Sequence, residues 1–283
     1  MRILRPHQGF AGLPPALGRV ILPAMTTPAP LSVRAALVTG AAKRIGRAIA
    51  EDLAQQGWAV AVHYNSSRAE AEELVQRIQR GGGRAVALHA DLEREAEVES
   101  LLPRAIEALG PFSLLVNNAS LFEMDKIDTA TRASWDAHIE TNLRAPLVLC
   151  QAFARQLPVG APGNIVNMLD QRVWKPTPYF LSYTVGKMGL WTLTRTLALA
   201  LAPKIRVNGI GPGPTLPSPR QTREQFERQC AAMPLGRGTT PQEICQALRF
   251  ILAAPSMTGQ MIALDGGEHL GWAVPSRGFV AQE

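Results

Sequence analysis

The chain has 283 residues, 46% hydrophobic and 18% charged, a balance suited to one large α/β domain with a continuous core. Of the net charge of +6, four units come from Arg2, Arg5, Arg19 and Arg34 in an acid-free stretch, leaving +2 for residues 35–283 and no basic stripe for nucleic acid. No apolar run of about 18 residues is present to form a membrane-spanning helix, and Cys150, Cys230 and Cys245 are too widely spaced to frame a disulfide or metal site.

A reducing, cytoplasmic setting is the default for such cysteine usage. Residues 1–33, rich in Pro, Gly and Arg, are expected to be a disordered extension ahead of a second possible start at Met25. Their prolines oppose the amphipathic helix that an organelle transit segment needs. The domain is expected over 34–270, with 271–283 as a tail.

From residue 35 onward short apolar runs alternate with longer amphipathic stretches. Strands are expected at Ala35–Val38, Ala59–His63, Ala85–His89, Leu114–Val116, Gly163–Met168, Ile205–Ile210 and Gln260–Leu264. Helices are expected over Ile45–Gln56, Arg68–Arg80, Glu95–Leu109, Ser134–Arg155 and Ser182–Ala200, with two more after a Pro/Gly-rich loop at 211–219, the first a charged one over Gln221–Gln229. Strands that are apolar throughout, separated by long helices, indicate a parallel sheet covered on both faces. The fold class is therefore α/β, a doubly wound parallel sheet with Rossmann-like topology, in which ligands bind at the carboxyl ends of the strands.

The first strand runs straight into Thr39-Gly40-Ala41-Ala42-Lys43-Arg44-Ile45-Gly46. Gly40 permits a tight turn and Gly46 a close helix start, so the helix N-terminus can offer its unpaired N–H groups and positive dipole end to a pyrophosphate. After the second strand comes His63-Tyr64-Asn65-Ser66-Ser67-Arg68. It lacks the Asp or Glu that usually takes the 2′-hydroxyl of NAD, whereas hydroxyls with Arg68, Lys43 and Arg44 suit a 2′-phosphate, so NADP(H) is the expected cofactor. The Ser/Asn cluster reads equally as the capped start of the next helix. Asp91-Leu92, after the third strand, would meet an adenine amino group or cap the following helix.

Tyr183 and Lys187 stand four residues apart at the start of a predicted helix and so project from one face. A Lys187 ammonium beside Tyr183 would stabilise the phenolate and make the phenol a usable proton donor. Asp170, Asn142 and Asn118-Ala119-Ser120 fall at the same carboxyl rim of the sheet.

These spaced marks, Thr39-Gly40…Gly46, Asn117-Asn118-Ala119, Asn142, Tyr183-x-x-x-Lys187 and Pro212-Gly213, resemble the short-chain dehydrogenase/reductase family over about 34–268. Two departures are informative. Arg44 stands where that family usually has the loop's middle glycine, and Asp170 where it usually has the catalytic serine. With Ser120-Leu121-Phe122 and His63-Tyr64 they are similar to the pteridine reductase subfamily, which includes dihydromonapterin reductases.

The resemblance implies a catalytic set of Asp170, Tyr183 and Lys187. It further implies Phe122 stacked on a pterin, Ser120 touching cofactor and pterin, and Arg44 near the cofactor phosphates and the substrate. Gly40, Ile45, Gly46, Tyr64, Asn65, Ser66, Ser67, Asp91, Leu92, Asn118, Ala119, Met168, Pro212, Gly213 and Thr215 would complete the dinucleotide site, with no metal. Phe122 as plain core, Asp170 as a turn cap and Asn142 as a structural residue are the competing readings. Trp174 and Tyr179 are unassigned between pocket and packing.

The leading functional expectation is an NADPH-dependent reductase of a dihydropterin or dihydrofolate. A short-chain carbonyl or 3-oxoacyl reductase and a catalytically silent NADP-binding regulator are the alternatives. The family further implies a homotetramer, for which Leu190, Leu193, Leu197 and Leu201 offer a helical stripe that equally suits ordinary core. The Pro-rich segment 211–233 is consistent with a substrate lid.

Overall fold

The computed structural model describes residues 34–271; the expectations for residues 1–33 and for all but the first residue of the 271–283 tail lie outside them. Seven strands form one wholly parallel sheet in the order β3-β2-β1-β4-β5-β6-β7. They are β1 (Ala35–Val38), β2 (Ala59–Tyr64), β3 (Ala85–His89), β4 (Leu114–Asn117), β5 (Gly163–Met168), β6 (Ile205–Pro212) and β7 (Met261–Leu264). Each overlaps an expected strand, because a strand covered on both faces has to be apolar at consecutive positions and stands out for that reason.

The pleat divides the side chains. Ala35 and Leu37 face one layer, made of α3 (Glu95–Leu109) and α5 (Ala145–Gln156). Ala36 and Val38 face the other, made of α1 (Arg44–Gln55), α2 (Arg68–Arg80) and α8 (Pro241–Ala253). Each fully buried Leu, Ile or Val contributes about 1.5–3 kcal/mol, and both layers are dense in them. The chain leaves β1 in opposite directions across the sheet, towards β2 on one side and β4 on the other. That reversal opens a crevice at the carboxyl ends of β1 and β4.

One expected helix is broken. The stretch 134–155 consists of α4 (Arg132–Ile139), a π-turn over Glu140–Arg144, and α5. Pro146 has no N–H for the Asn142 carbonyl, and the Ala145 N–H reaches back five residues to Glu140 instead. The widened turn lets the buried Asn142 side chain serve the neighbouring loop. Its Nδ2 donates to the Leu121 carbonyl at 2.9 Å, and its Oδ1 accepts the Leu121 N–H at 2.9 Å. The remaining helices are α6 (Leu181–Leu201) and α7 (Arg223–Ala231), the latter started by a Thr222–Gln225 capping box two residues later than the sequence suggests. Leu190 is buried, while Leu193, Leu197 and Leu201 are half-buried, packed against the cores on one side and open on the other.

His63, at the end of β2, is almost wholly buried. Its Nδ1 accepts the Gly40 N–H at 2.9 Å, and its Nε2 faces the Ala90 carbonyl at 3.0 Å, an arrangement that selects the neutral Nε2–H tautomer. Burial pushes its pKa down to about 4. The unfolded chain thus takes up this proton near pH 6.5 while the native state resists it until about 4. Stability is expected to fall by about 3 kcal/mol as pH drops through that window. Urea titrations of the wild type and His63→Gln check this, the variant losing less between the two ends.

Candidate active site

A cleft of about 660 Å³ opens at the β1/β4 switch point. Its floor is the turn after β1. Gly40 has φ of +61° and lies so close to the end of β4 that a Cβ would stand 2.9 Å from the Ala119 Cα. A Cβ on Gly46 would collide with the Gly40 carbonyl and the Asn118 amide. Asn118 holds the turn in this shape, donating from Nδ2 to the carbonyls of Thr39 at 2.8 Å and Gly40 at 3.2 Å. The Thr39 hydroxyl oxygen in turn accepts the N–H groups of Asn118 and Ala119, both at 2.9 Å.

Helix α1 then starts without a side-chain cap and without an acid in its first turn. Its exposed N–H groups and positive dipole end fit a phosphate group, and a carboxylate cap there would have repelled one. Gly213, past β6, closes the opposite wall, where a Cβ would press on Asp265 at 2.8 Å. These are cradles for a dinucleotide backbone that side chains would fill.

The cleft wall brings together most of the expected dinucleotide residues: Gly40, Arg44, Ile45, Gly46, Asn65, Asp91, Leu92, Asn118, Ala119, Ser120, Met168, Pro212, Gly213 and Thr215. Tyr64, Ser66 and Ser67 are not part of it. Tyr64 packs edge-on to the His89 ring, and Ser66 is exposed beyond the end of β2. Ser67 is the N-cap residue of α2 but makes no side-chain cap bond there. Lys43 lines the cleft and pairs with Glu70 at 2.7 Å, whereas Arg68, outside it, pairs with Glu72 at 2.7 Å. Asp91 lines the wall, but it does not cap the following helix: it accepts the Glu93 N–H at 3.0 Å in the turn before α3, whose N-cap residue is Arg94.

The reacting centre is compact. The Tyr183 hydroxyl donates to Asp170 Oδ2 at 2.7 Å. Lys187 Nζ, fully enclosed, donates to the Met168 carbonyl at 2.8 Å. Burial pulls the Lys187 pKa down to about 8, with the Asp170 charge acting in the opposite sense. Asp170 also caps the short turn Gln171–Val173 through the Arg172 N–H, while its other oxygen stays against the Tyr183 hydroxyl. Asn142 touches Ser120 Oγ at 3.1 Å, which joins the π-turn to the cleft wall.

Phe122 lies on the wall, stacked on Phe180 with centroids 4.3 Å apart and planes 9° apart, and edge-on to Tyr183 at 4.7 Å. One of its faces is therefore already covered. Phe180 adopts a left-handed backbone, φ 58°, at the start of α6. The buried Asp125 holds that helix start, its Oδ1 accepting the Ser182 N–H at 3.1 Å. Trp174 packs on His269 and Tyr179 beneath Lys126, both away from the cleft wall.

Two arginines tie the segment after β6 across the opening. Arg44 donates to the carbonyls of Pro217 at 2.8 Å and Leu216 at 3.1 Å. Arg220 donates to the Phe122 carbonyl and to Glu123, each at 2.8 Å. Arg220, Arg172 and Phe180 carry no local sequence pattern that marks them for the site. Only the doublet Asp170-x-Arg172 holds a hint, since an Asp caps the N–H two residues ahead.

Residues 34–228 match the short chain dehydrogenase family. A solved structure titled FolM alternative dihydrofolate reductase 1 from Brucella canis, complexed with NADP, is 50% identical, superposes with a TM-score of 0.83, and is matched over 86% of this chain and 97% of its own. A blue fluorescent protein from a metagenomic library, in complex with NADPH, is 31% identical with a TM-score of 0.77, over 83% of this chain and 97% of its own. An uncharacterised oxidoreductase of Methylorubrum extorquens is 34% identical over 84% of this chain and 98% of its length. With its Tyr183–Lys187 pair, glycine cradle and seven-stranded parallel sheet, the chain belongs to the short-chain dehydrogenase family and is an oxidoreductase of that family.

Proposed function

We propose that the protein is an NADPH-dependent reductase of a dihydropterin or dihydrofolate. The observation that carries this reading is the carboxylate of Asp170, hydrogen-bonded by Tyr183 and beside Phe122, at the position where the family usually has a serine. A hydroxyl serves a carbonyl oxygen. A carboxylate instead accepts two hydrogen bonds side by side, which matches the amino and ring N–H edge of a pterin. The 50% identity to proteins named as alternative dihydrofolate reductases, solved with NADP, supports the same substrate class and cofactor.

NADPH would lie against Gly40, Gly46, Asn118 and Gly213, with Arg44 near its phosphates, and would supply the hydride. The lack of an acid after β2 favours the 2′-phosphorylated dinucleotide. Phe122 offers a flat ring on which a pterin stacks, which fixes the C=N bond at attack distance. Tyr183 gives its hydroxyl proton to the ring nitrogen as carbon is reduced. Lys187 holds positive charge beside the phenolate that results. Once the Tyr183 hydroxyl turns from Asp170 to the ring nitrogen, each Asp170 oxygen keeps one Arg172 donor and has a lone pair for the substrate edge, which keeps the ring in register. Segment 211–233, tied by Arg44 and Arg220, shields this reaction from water. We extend the same reading to a homotetramer, the usual assembly of the family.

Purified protein with NADPH and a panel of dihydrobiopterin, dihydromonapterin, dihydrofolate and simple ketones tests this. Turnover of at least one of the pterins or the folate is expected, with Tyr183→Phe lowering kcat by about 100-fold or more. Asp170→Ser should lose the heterocycle activity and retain dinucleotide binding. Activity confined to ketones overturns the proposal.

The Lys187 charge has its own signature. Its folded pKa of about 8 means the ammonium is present below that value and lost above it. The kcat/KM profile is therefore expected to decline above about pH 8, and Lys187→Arg, charged throughout, should flatten that limb. A profile unaffected by the substitution would place the alkaline limb on another group.

A further inference from the structure

Asp170 takes three donors, and two belong to one residue. The Arg172 backbone N–H donates to Oδ1 at 2.8 Å, and an Arg172 guanidinium N–H donates to Oδ2 at 3.3 Å. The third donor, the Tyr183 hydroxyl, shares that same Oδ2. The acid and the arginine side chains are only 13% and 12% exposed. A pair this well enclosed is poorly screened by solvent, so its geometry is held far more tightly than that of a surface ion pair.

The guanidinium carbon also lies 5.4 Å from the Phe122 ring centroid and 5.3 Å from that of Phe180. Near-equal distances to two stacked rings put it beside the pair rather than on one ring alone. One side chain therefore bridges the acid and the aromatic platform. The local turn does not require this, because any non-proline residue at 172 supplies the backbone N–H that caps it.

We propose that Arg172 is a positioning residue of the reacting centre: it fixes the Asp170 carboxylate against the Tyr183 hydroxyl and, with Lys187, sets a second cation beside that phenol. The inference rests on Asp170 and Tyr183 being the reacting pair. The titratable and charged groups that face them are Lys187 on α6, Arg172 in the turn after β5, His138 on α4, whose ring lies 6.3 Å from that of Tyr183, and, around the cleft wall, Lys43, Arg44, Asp91, Glu93, Glu123, Arg220 and Glu268. Arg172 and Lys187 set two cations about the one carboxylate that the phenol touches. Cations so placed favour the phenolate which proton donation creates.

Titration of tyrosinate absorbance in dinucleotide-free protein tests the proposal without any substrate. The chain has only three tyrosines, and Tyr183→Phe identifies the signal of the one in the cleft. Arg172→Gln, which keeps the backbone N–H, should raise the Tyr183 midpoint by about one pH unit or more. Arg172→Lys should raise it less. Arg172→Met, which keeps apolar contact with both rings, serves if the glutamine variant does not fold, and the same rise is expected. A lowered melting temperature with an unmoved Tyr183 midpoint overturns the proposal and leaves Arg172 a structural residue. Turnover with NADPH separates the two ideas. Absence of heterocycle reduction by the wild type sinks the proposed function, while the tyrosine titration still decides the role of Arg172.

Discussion

The Asn118 side chain is the fixed point of this molecule. Its amide donates into the carbonyls of Thr39 and Gly40, while its own N–H rests on the Thr39 hydroxyl. The glycine turn after β1 is thereby bound to the end of β4, and His63 binds it to the end of β2. Phe122 is only four residues beyond Asn118, and Asn142 holds the Leu121 backbone between them. Cradle and aromatic platform are thus parts of one rigid corner, set by backbone-directed hydrogen bonds that water would otherwise satisfy.

Much of this was legible from the residues alone, for physical reasons that vary along the chain. A covered parallel strand must be apolar at consecutive positions, so Ala35–Val38 and Ala59–Val62 declare themselves. Tyr183 and Lys187 are readable because helix geometry puts residues four apart on one face. The broken helix was hidden. Residues 134–155 keep an apolar periodicity throughout, and Pro146 alone does not tell a kink from a π-turn. Phe180 was hidden as well, because nothing in a phenylalanine advertises a left-handed backbone, which here is stabilised from 55 residues away in sequence by Asp125 at the adjoining Leu181–Ser182 positions. Arg172 and Arg220 act through contacts made only after folding, and Arg220 crosses almost a hundred residues to reach Phe122.

The charge pattern has a similar logic. The described domain is nearly balanced, and so is its cleft, where Lys43, Arg44, Arg172, Lys187 and Arg220 meet Asp91, Glu93, Glu123, Asp170 and Glu268. The signs are sorted within it: Asp170 pairs with Arg172 and feels the charge of Lys187, so its negative charge is compensated where a substrate edge would meet it. The arginines do further work as ties: Arg44 and Arg220 hold the segment after β6 by carbonyl oxygens, and a ligand with stronger acceptors competes for the same donors.

The π-turn at Glu140–Arg144 carries an evolutionary consequence. It holds one residue more than an α-helical path between the same ends would need. Excising a single residue there would restore regular winding and leave Val148, Leu149 and Phe153 on the sheet they now cover. The loss would fall on the turn itself, where the Asn142 amide would be drawn back from the Leu121 backbone it supports. A lineage could thus shed the extra residue without unpacking the helix, but not without freeing the loop that leads to Phe122.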